Sequence, residues 1–205
     1  MRTTDSLNIV KRFKGNSLKQ RFSELKYAIV HDQKIPDMNE IYHSALEVKK
    51  LSAQIDEIVH ATGIIQCLSK ILQKDEKVID LSLASSAEGE GIDLVTSKRI
   101  AEFKFARWQL HNANGMRKRQ VFADLINLYL NPTNKSKELY VFNAEKIKSF
   151  FSSSKAEWKN VLSRSGGLDR KLEQHLNEKG HDGKYLNDVY SISKVQVFDI
   201  DDILR

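Results

Sequence analysis

Residues 91 to 105 constrain the chain more than any other stretch. Two apolar runs, Ile92 to Val95 and Ile100 to Phe105, flank the polar Thr96, Ser97, Lys98 and Arg99. That pattern predicts a β-hairpin. Strand side chains alternate faces, so Glu102 and Lys104 share one face and Ala101, Phe103 and Phe105 take the other. With Ser97 and Lys98 as a two-residue turn, Thr96 pairs with Arg99 and Asp93 falls opposite Glu102. Opposed residues hold their Cβ atoms about 4.5–5.5 Å apart, where like charges repel. A divalent cation removes the repulsion, and carboxylate oxygens are hard ligands of the kind Mg²⁺ takes. Lys104 lies two residues further along the same face. Two acids and a lysine around a metal predict cleavage of a phosphodiester.

The arrangement of Asp93, a gap, and then Glu102-Phe103-Lys104 resembles the signature of the PD-(D/E)XK nuclease superfamily. That pattern is an acid, a variable gap, and acid-x-Lys on the next strand. Where the family often has proline before the first acid, this chain has Ile92. The resemblance implies a restriction-endonuclease-like core, an α/β (α+β) fold whose central mixed sheet is flanked by helices. Added helices lie at both ends of the chain. It covers roughly residues 40 to 143, where helix, three strands, helix and strand are expected in the family's order.

The same resemblance implies a site. Asp93 and Glu102 would bind one or two Mg²⁺ ions, with Mn²⁺ as a substitute, joined by the backbone carbonyl of Phe103. Lys104 would orient the attacking water or stabilise charge growing on the phosphate during in-line attack. Burial beside cations would depress its pKa. Many members carry an extra acid on the helix before the core strands, aimed at the metal, and Glu57 resembles it in order and distance as a further metal ligand. Several branches use a Gln on the helix after the lysine strand. Gln120 resembles it by position, with Gln109 second. Cutting both strands at one place usually takes two sites, so family analogy adds a homodimer. Restriction of foreign DNA is the favoured role, with recombination or repair next.

Charge and cysteine content narrow the class further. A chain of 205 residues, 40% of them hydrophobic, suits a domain with a real core plus an added helical part. Division is expected into 1–36, a basic segment and helix, and 37–205, the nuclease-like domain. The formal net charge of +6 favours a polyanionic partner. Between Lys98 and Gln120, seven basic residues stand against one acid, a local excess equal to the net charge of the whole chain. Arg117, Lys118 and Arg119 crowd the first turn of a predicted helix, the positive end of its dipole. A DNA phosphate there would meet both the dipole and the side chains. Arg107 and Gln120 complete the expected DNA contacts. Cys67 is the lone cysteine, so no intramolecular disulfide forms. No stretch reads as a signal peptide or a membrane span, and the expected compartment is the cytoplasm.

Periodicity predicts helices over 17–31 and from Asp37 to about residue 73, the second with an apolar stripe through Ile55, Val59 and Ile65 and a bend or break at Gly63. A strand is expected over Val78 to Ala84, and a helix from about Met116 to Pro132. A strand follows over Glu138 to Asn143. Helices are then expected over Ala144 to Phe151, Lys155 to Ser163 and Leu168 to Lys179, and a last strand over Lys194 to Ile200. Residues 1 to 15 read as loosely ordered. The glycines of the loop before Asp93 allow tight backbone geometry, and Glu88 and Glu90 there read as solvated.

Two other readings have their own features. Arg170, four residues and then His175 resemble the motif of the all-helical, metal-independent HEPN ribonucleases, against which the predicted strands argue. Alternatively, basic charge on the same fold suits a non-catalytic DNA-binding or assembly module. No histidine shows zinc-ligand spacing with a cysteine, and no phosphate-binding Gly-rich loop appears.

Overall fold

Ile100 enters one hydrophobic core, and Ala101 and Phe103 enter another on the opposite side of a sheet. The computed structural model describes residues 3–14, 18–30, 38–82, 92–106 and 114–205. The elements are α1 (Thr3–Lys14), α2 (Leu18–Val30), α3 (Asn39–Ile71), β1 (Val78–Leu81), β2 (Leu94–Thr96), β3 (Arg99–Lys104) and α4 (Asn114–Leu130). They continue as β4 (Ser136–Val141), α5 (Ala144–Ser153), α6 (Trp158–Leu162), α7 (Leu168–Lys179), α8 (Leu186–Ser193), β5 (Gln196–Asp199) and α9 (Ile200–Leu204). By internal contacts the chain divides into two units, Met1–Ile58 and Val59–Arg205.

The second unit is a mixed α/β structure around an open five-stranded sheet in the order β1-β2-β3-β4-β5. β1, β2 and β3 pair antiparallel, whereas β3, β4 and β5 pair parallel. Parallel neighbours need long crossovers. α4 supplies one between β3 and β4, and α5 to α8 supply the next. The hairpin register is the expected one, with Leu94 opposite Ala101 and Val95 opposite Ile100. Thr96 caps the turn: its hydroxyl accepts the amides of Lys98 and Arg99 at 3.0 and 2.9 Å.

Ile100, Leu139, Val141 and Val197 enter the larger core with Phe122, Leu125 and Ile126 of α4 and residues of α5 to α8. Leu94, Ala101, Phe103 and Tyr140 enter the other core, closed by Ile64 and Cys67 of α3 and Ile200 of α9. Register stacks the rings of Phe103 on Tyr140 and of Tyr140 on Phe198 across three strands.

Several expectations change. Residues Thr3–Lys14 form a helix rather than a loose segment, with Asp5 in its first turn. α8 and α9 were not anticipated. α8 opens on Tyr185, whose amide is held by the Asp188 carboxylate at 2.9 Å, a cap without the usual Ser or Thr signal. Ile55, Val59 and Ile65 are exposed, and the buried face of α3 runs instead through Ile64, Cys67, Leu68 and Ile71. Over a helix of 33 residues a sequence stripe drifts around the axis, so distant apolar positions do not share a face. Gly63 does not interrupt α3. A Cβ there would lie 2.4 Å from the Phe105 ring, so the glycine makes room for that ring.

The basic cluster is also divided. Arg99 is buried and its guanidinium takes both oxygens of Glu76 at 2.7 and 2.8 Å, Glu138 at 2.9 Å and the Tyr140 hydroxyl at 3.3 Å. It belongs to the internal framework, not to a basic surface. Lys98 and Arg99 lie at the opposite end of β3 from Lys104, about 17 Å away at about 3.3 Å per residue. Among the described residues no helix is long and apolar enough to cross a membrane.

Candidate active site

At the C-terminal end of β3, Glu102 and Lys104 project on the face covered by α4. Glu102 is buried, and its Oε1 accepts the Lys104 ammonium at 2.6 Å. Its Oε2 is buried with no hydrogen-bond partner. Lys104 Nζ also forms an ion pair with Asp124 Oδ2 of α4 at 3.3 Å. The ammonium therefore sits between two carboxylates, closer to Glu102.

Asp93 lies just beyond the last ladder pair of the hairpin. Its amide donates to the carbonyl of Ala101 at 3.0 Å, and its Oδ2 accepts the amide of Phe103 at 2.8 Å. The side chain so takes the hydrogen-bonding place that a longer β2 would have filled. Asp93 Oδ1 lies 3.2 Å from Nε2 of His60 on α3. The His60 ring meets Phe105 edge-on, and Phe105 sits over Gly63. The first acid is thus tied to the backbone of the strand carrying the other acid and the lysine. It is held from the α3 side, while Glu102 faces α4.

Three carboxylates share one lysine, and the electrostatics follow. Burial pushes the Glu102 carboxyl up to about 8; Lys104 pulls it down, and Asp124 and Asp93 push it further up. Burial likewise raises Asp124 to about 6 against the pull of Lys104. Burial disfavours the charged lysine, but Asp124, Glu102 and Asp93 outweigh it, so the Lys104 pKa rises. That is opposite to the expected direction, because its neighbours are acids rather than cations.

Glu57 is exposed on α3 and belongs to the first unit. Arg117, Lys118 and Arg119 are half-buried at the end of the first turn and the start of the second turn of α4, which begins two residues earlier than expected. Lys118 Nζ lies 4.8 Å over the Phe150 ring. Gln120 is exposed one turn before Asp124, on the same face of α4. Arg107, Trp108, Gln109, Glu88 and Glu90 lie outside the described residues.

Asp124 and His60 escaped the sequence reading, although both carried a signal. Asp124 comes three residues after Val121 and four before Leu128, so helical spacing puts an acid on a buried face. His60 comes four residues before Ile64 and seven before Cys67.

As to a metal, among the described residues no group of three or more His, Cys, Asp and Glu side chains is placed to hold an ion. Mg²⁺ is often held by one or two carboxylates, with water and substrate phosphates completing the shell. The bare Oε2 of Glu102 is a hard oxygen donor of that kind. A cleft of about 460 Å³, lined by Arg99, Glu138, Tyr140 and Phe198, lies elsewhere, at the starts of β3, β4 and β5. Its one buried cation is already saturated by Glu76 and Glu138. No family model, no curated protein and no solved structure matches the chain.

Proposed function

We propose that the chain is a Mg²⁺-dependent endonuclease of the PD-(D/E)XK type that hydrolyses phosphodiester bonds in DNA. The observation that carries this reading is the unpartnered, buried Oε2 of Glu102, in a cluster where three carboxylates share one lysine. Burial and the neighbouring acids make the ionised form of Glu102 costly without a further cation. The sheet is consistent with a restriction-endonuclease-like core: an antiparallel hairpin carries the acids, and a helix crossover leads from the lysine strand to a parallel neighbour.

Asp93 and Glu102 would hold the metal, with Mn²⁺ able to replace Mg²⁺. Bound there, the ion supplies neutralisation of the scissile phosphate and a lowered pKa for water. The remaining roles fall to the chain itself. The Phe103 amide and His60 fix the Asp93 carboxylate. Lys104, released from Glu102, would position the attacking water or meet charge growing on the phosphate. Arg117, Lys118, Arg119 and Gln120 on α4 would track the DNA backbone leading into the site. A homodimer would pair two such sites for double-strand cleavage, in restriction of foreign DNA or in recombination and repair.

The test is incubation of the purified protein with supercoiled plasmid and short duplexes, in Mg²⁺ or in chelator, beside Asp93→Ala. Mg²⁺-dependent nicking or linearisation that vanishes in the variant is expected. Intact plasmid under every condition, with DNA still bound, would turn the reading to a binding or assembly module. Cleavage that persists in chelator would point to the Arg170 and His175 chemistry, although the five-stranded sheet is at odds with an all-helical fold.

A further inference from the structure

We propose that the cleft where α4, α7 and α8 end is a second phosphate-binding surface, and that its occupant is the backbone of the same DNA that reaches Lys104. The inference rests on the DNA partner of the nuclease reading and not on its metal chemistry.

The cleft encloses about 520 Å³ and is lined by Lys135, Lys137, Lys179 and Lys194, with His175 and His181 among them. Among the described residues no carboxylate lines it. Part of this charge has a local cause. α4, α7 and α8 finish here at Leu130, Lys179 and Ser193, and a helix C-terminus carries about half a negative charge. Lys137 accordingly donates to the carbonyls of Tyr129 and Asn131 at 2.6 and 2.8 Å. Lys135 donates to the Thr96 carbonyl at 2.5 Å. Three helix ends offset only about 1.5 of the four ammonium charges, which leaves an excess of about +2.5. The end of α7 does not need its lysine, because the amides of Gly180 and His181 already take the carbonyls of Asn177 and Leu176. Lys194 has φ 54°, a left-handed position where helices commonly place Gly or Asn. Asparagine would end α8 without adding charge, so helix termination does not account for a lysine there.

His175 registers the same excess. Burial lowers the pKa of its ring and Lys179 lowers it further; Glu178 opposes them, and Lys137 and His181 add to the fall. Glu178 is exposed, accepts from the Gln174 amide at 2.8 Å and does not line the cleft. The positive groups of the cleft thus act on one another with little acid between them, and an anion there would relieve all of them at once.

Position argues for a polymer rather than a free ion. Lys137 alternates with Leu139 and Val141, which enter the larger core, so it lies on the face of the sheet that carries Glu102 and Lys104 on β3. Lys137 pairs with Ile100, four residues before Lys104. That is about 13 Å along the strand, the rise of about four nucleotides. A duplex at Lys104 is long enough to meet both ends of this face, whereas a single phosphate is not. Lys179, His181 and Lys194 are exposed, as contacts to a passing backbone must be.

The experiment uses the full chain in chelator and a labelled duplex of fixed length, read by fluorescence anisotropy over a salt series. The double variant Lys179→Gln, Lys194→Asn should melt like wild type, bind the duplex at least about fivefold more weakly, and flatten the slope of log affinity against log salt by about two. Lys179→Gln alone, expected to flatten it by about one, serves should the double variant melt lower. Lys70→Gln with Lys74→Gln removes the same charge from exposed positions outside the cleft and should have less than half the effect. An unchanged slope in the cleft variants, or equal effects from the two pairs, overturns the proposal. Calorimetry with inorganic phosphate covers the other source: phosphate binding that the double variant loses, with duplex binding unaltered, makes the cleft a small-anion site and also overturns it. A plasmid assay keeps the two readings apart. Mg²⁺-dependent cutting with unchanged slopes sinks only the present inference. Flattened slopes with no cutting under any condition support the cleft and sink the nuclease.

Discussion

The amide of Phe103 donates to Asp93 Oδ2 at 2.8 Å, so the acid at the end of β2 is fastened to the strand that carries Glu102 and Lys104. This bond makes Asp93 structural as well as chemical. Asp93→Ala leaves a buried amide without its acceptor, which costs about 1–3 kcal/mol. Asp93→Asn keeps an acceptor oxygen and should cost clearly less. Both variants should lose Mg²⁺-dependent cleavage. Urea unfolding in chelator beside a plasmid assay separates the two effects; equal destabilisation by Ala and Asn would show that the bond contributes nothing.

Stability in chelator should fall as pH rises across the neutral range. The Glu102 carboxyl is pushed up to about 8 by burial and neighbouring acids, against about 4.3 in an unfolded chain. Between those values the folded state holds a proton that the unfolded state has released. Raising the pH through this window therefore favours unfolding, and the loss levels off above about 8. Asp124, raised to about 6, acts with the same sign. Glu76 acts oppositely: Arg99 holds it down at about 2, and its contribution is lost as pH falls from about 4 toward that value. Glu102→Gln, which cannot titrate, should show a much flatter urea midpoint between about pH 5 and 8. An equal slope in wild type and variant would sink the assignment.

Arg99 should matter to stability more than any other basic residue described. Its guanidinium is buried against Glu76, Glu138 and the Tyr140 hydroxyl, and it joins the hairpin to β4. Arg99→Met strands two buried carboxylates, at a cost of about 3–5 kcal/mol. Arg99→Lys does not restore the bidentate contact with Glu76 and should recover only part of it. Chemical denaturation measures both. A neutral Arg99→Met would show that the network is well replaced by apolar packing.

The architecture was readable where periodicity and turn chemistry were strong. The hairpin register followed from the two-residue turn at Ser97 and Lys98, and α7 occupies Leu168–Lys179 as its spacing required. What escaped depends on contacts between distant segments. Arg99 looked like one more surface cation because Glu76 and Glu138 lie 23 and 39 residues away. The Asp93 position was read from strand alternation, but its carboxylate replaces a ladder bond rather than facing Glu102 across a regular pair. Asp124 was hidden in an apolar helix face, whose acid gains meaning only when Lys104 is brought beside it.

Gly63 should tolerate no side chain. Adding a Cβ there brings it to 2.4 Å from the ring of Phe105, whose edge also meets His60. Overpacking of this kind costs typically about 1–3 kcal/mol. Because Phe105 backs the histidine beside Asp93, Gly63→Ala should lower both the melting temperature and Mn²⁺ affinity. Phe105→Leu in the same chain should restore part of each by making room. A Gly63→Ala protein with wild-type stability would mean that the ring turns aside without cost.

The positive residues of α4 make a prediction about salt. Arg117, Lys118 and Arg119 sit near the helix N-terminus, where the dipole also favours an anion. Each phosphate contact contributes about −0.9 to the slope of log affinity against log salt concentration on duplex DNA. Changing Arg117 and Arg119 together to Ala should therefore flatten that slope by about two, and weaken binding to unrelated duplexes alike. Lys118 lies over the Phe150 ring, so Lys118→Ala should cost stability as well as affinity. Fluorescence anisotropy over a salt series in Ca²⁺, with a duplex of fixed length, reads the slopes directly. An unchanged slope in the double variant would place the DNA path away from α4. Metal binding and DNA binding would then have to be carried by different faces of the sheet.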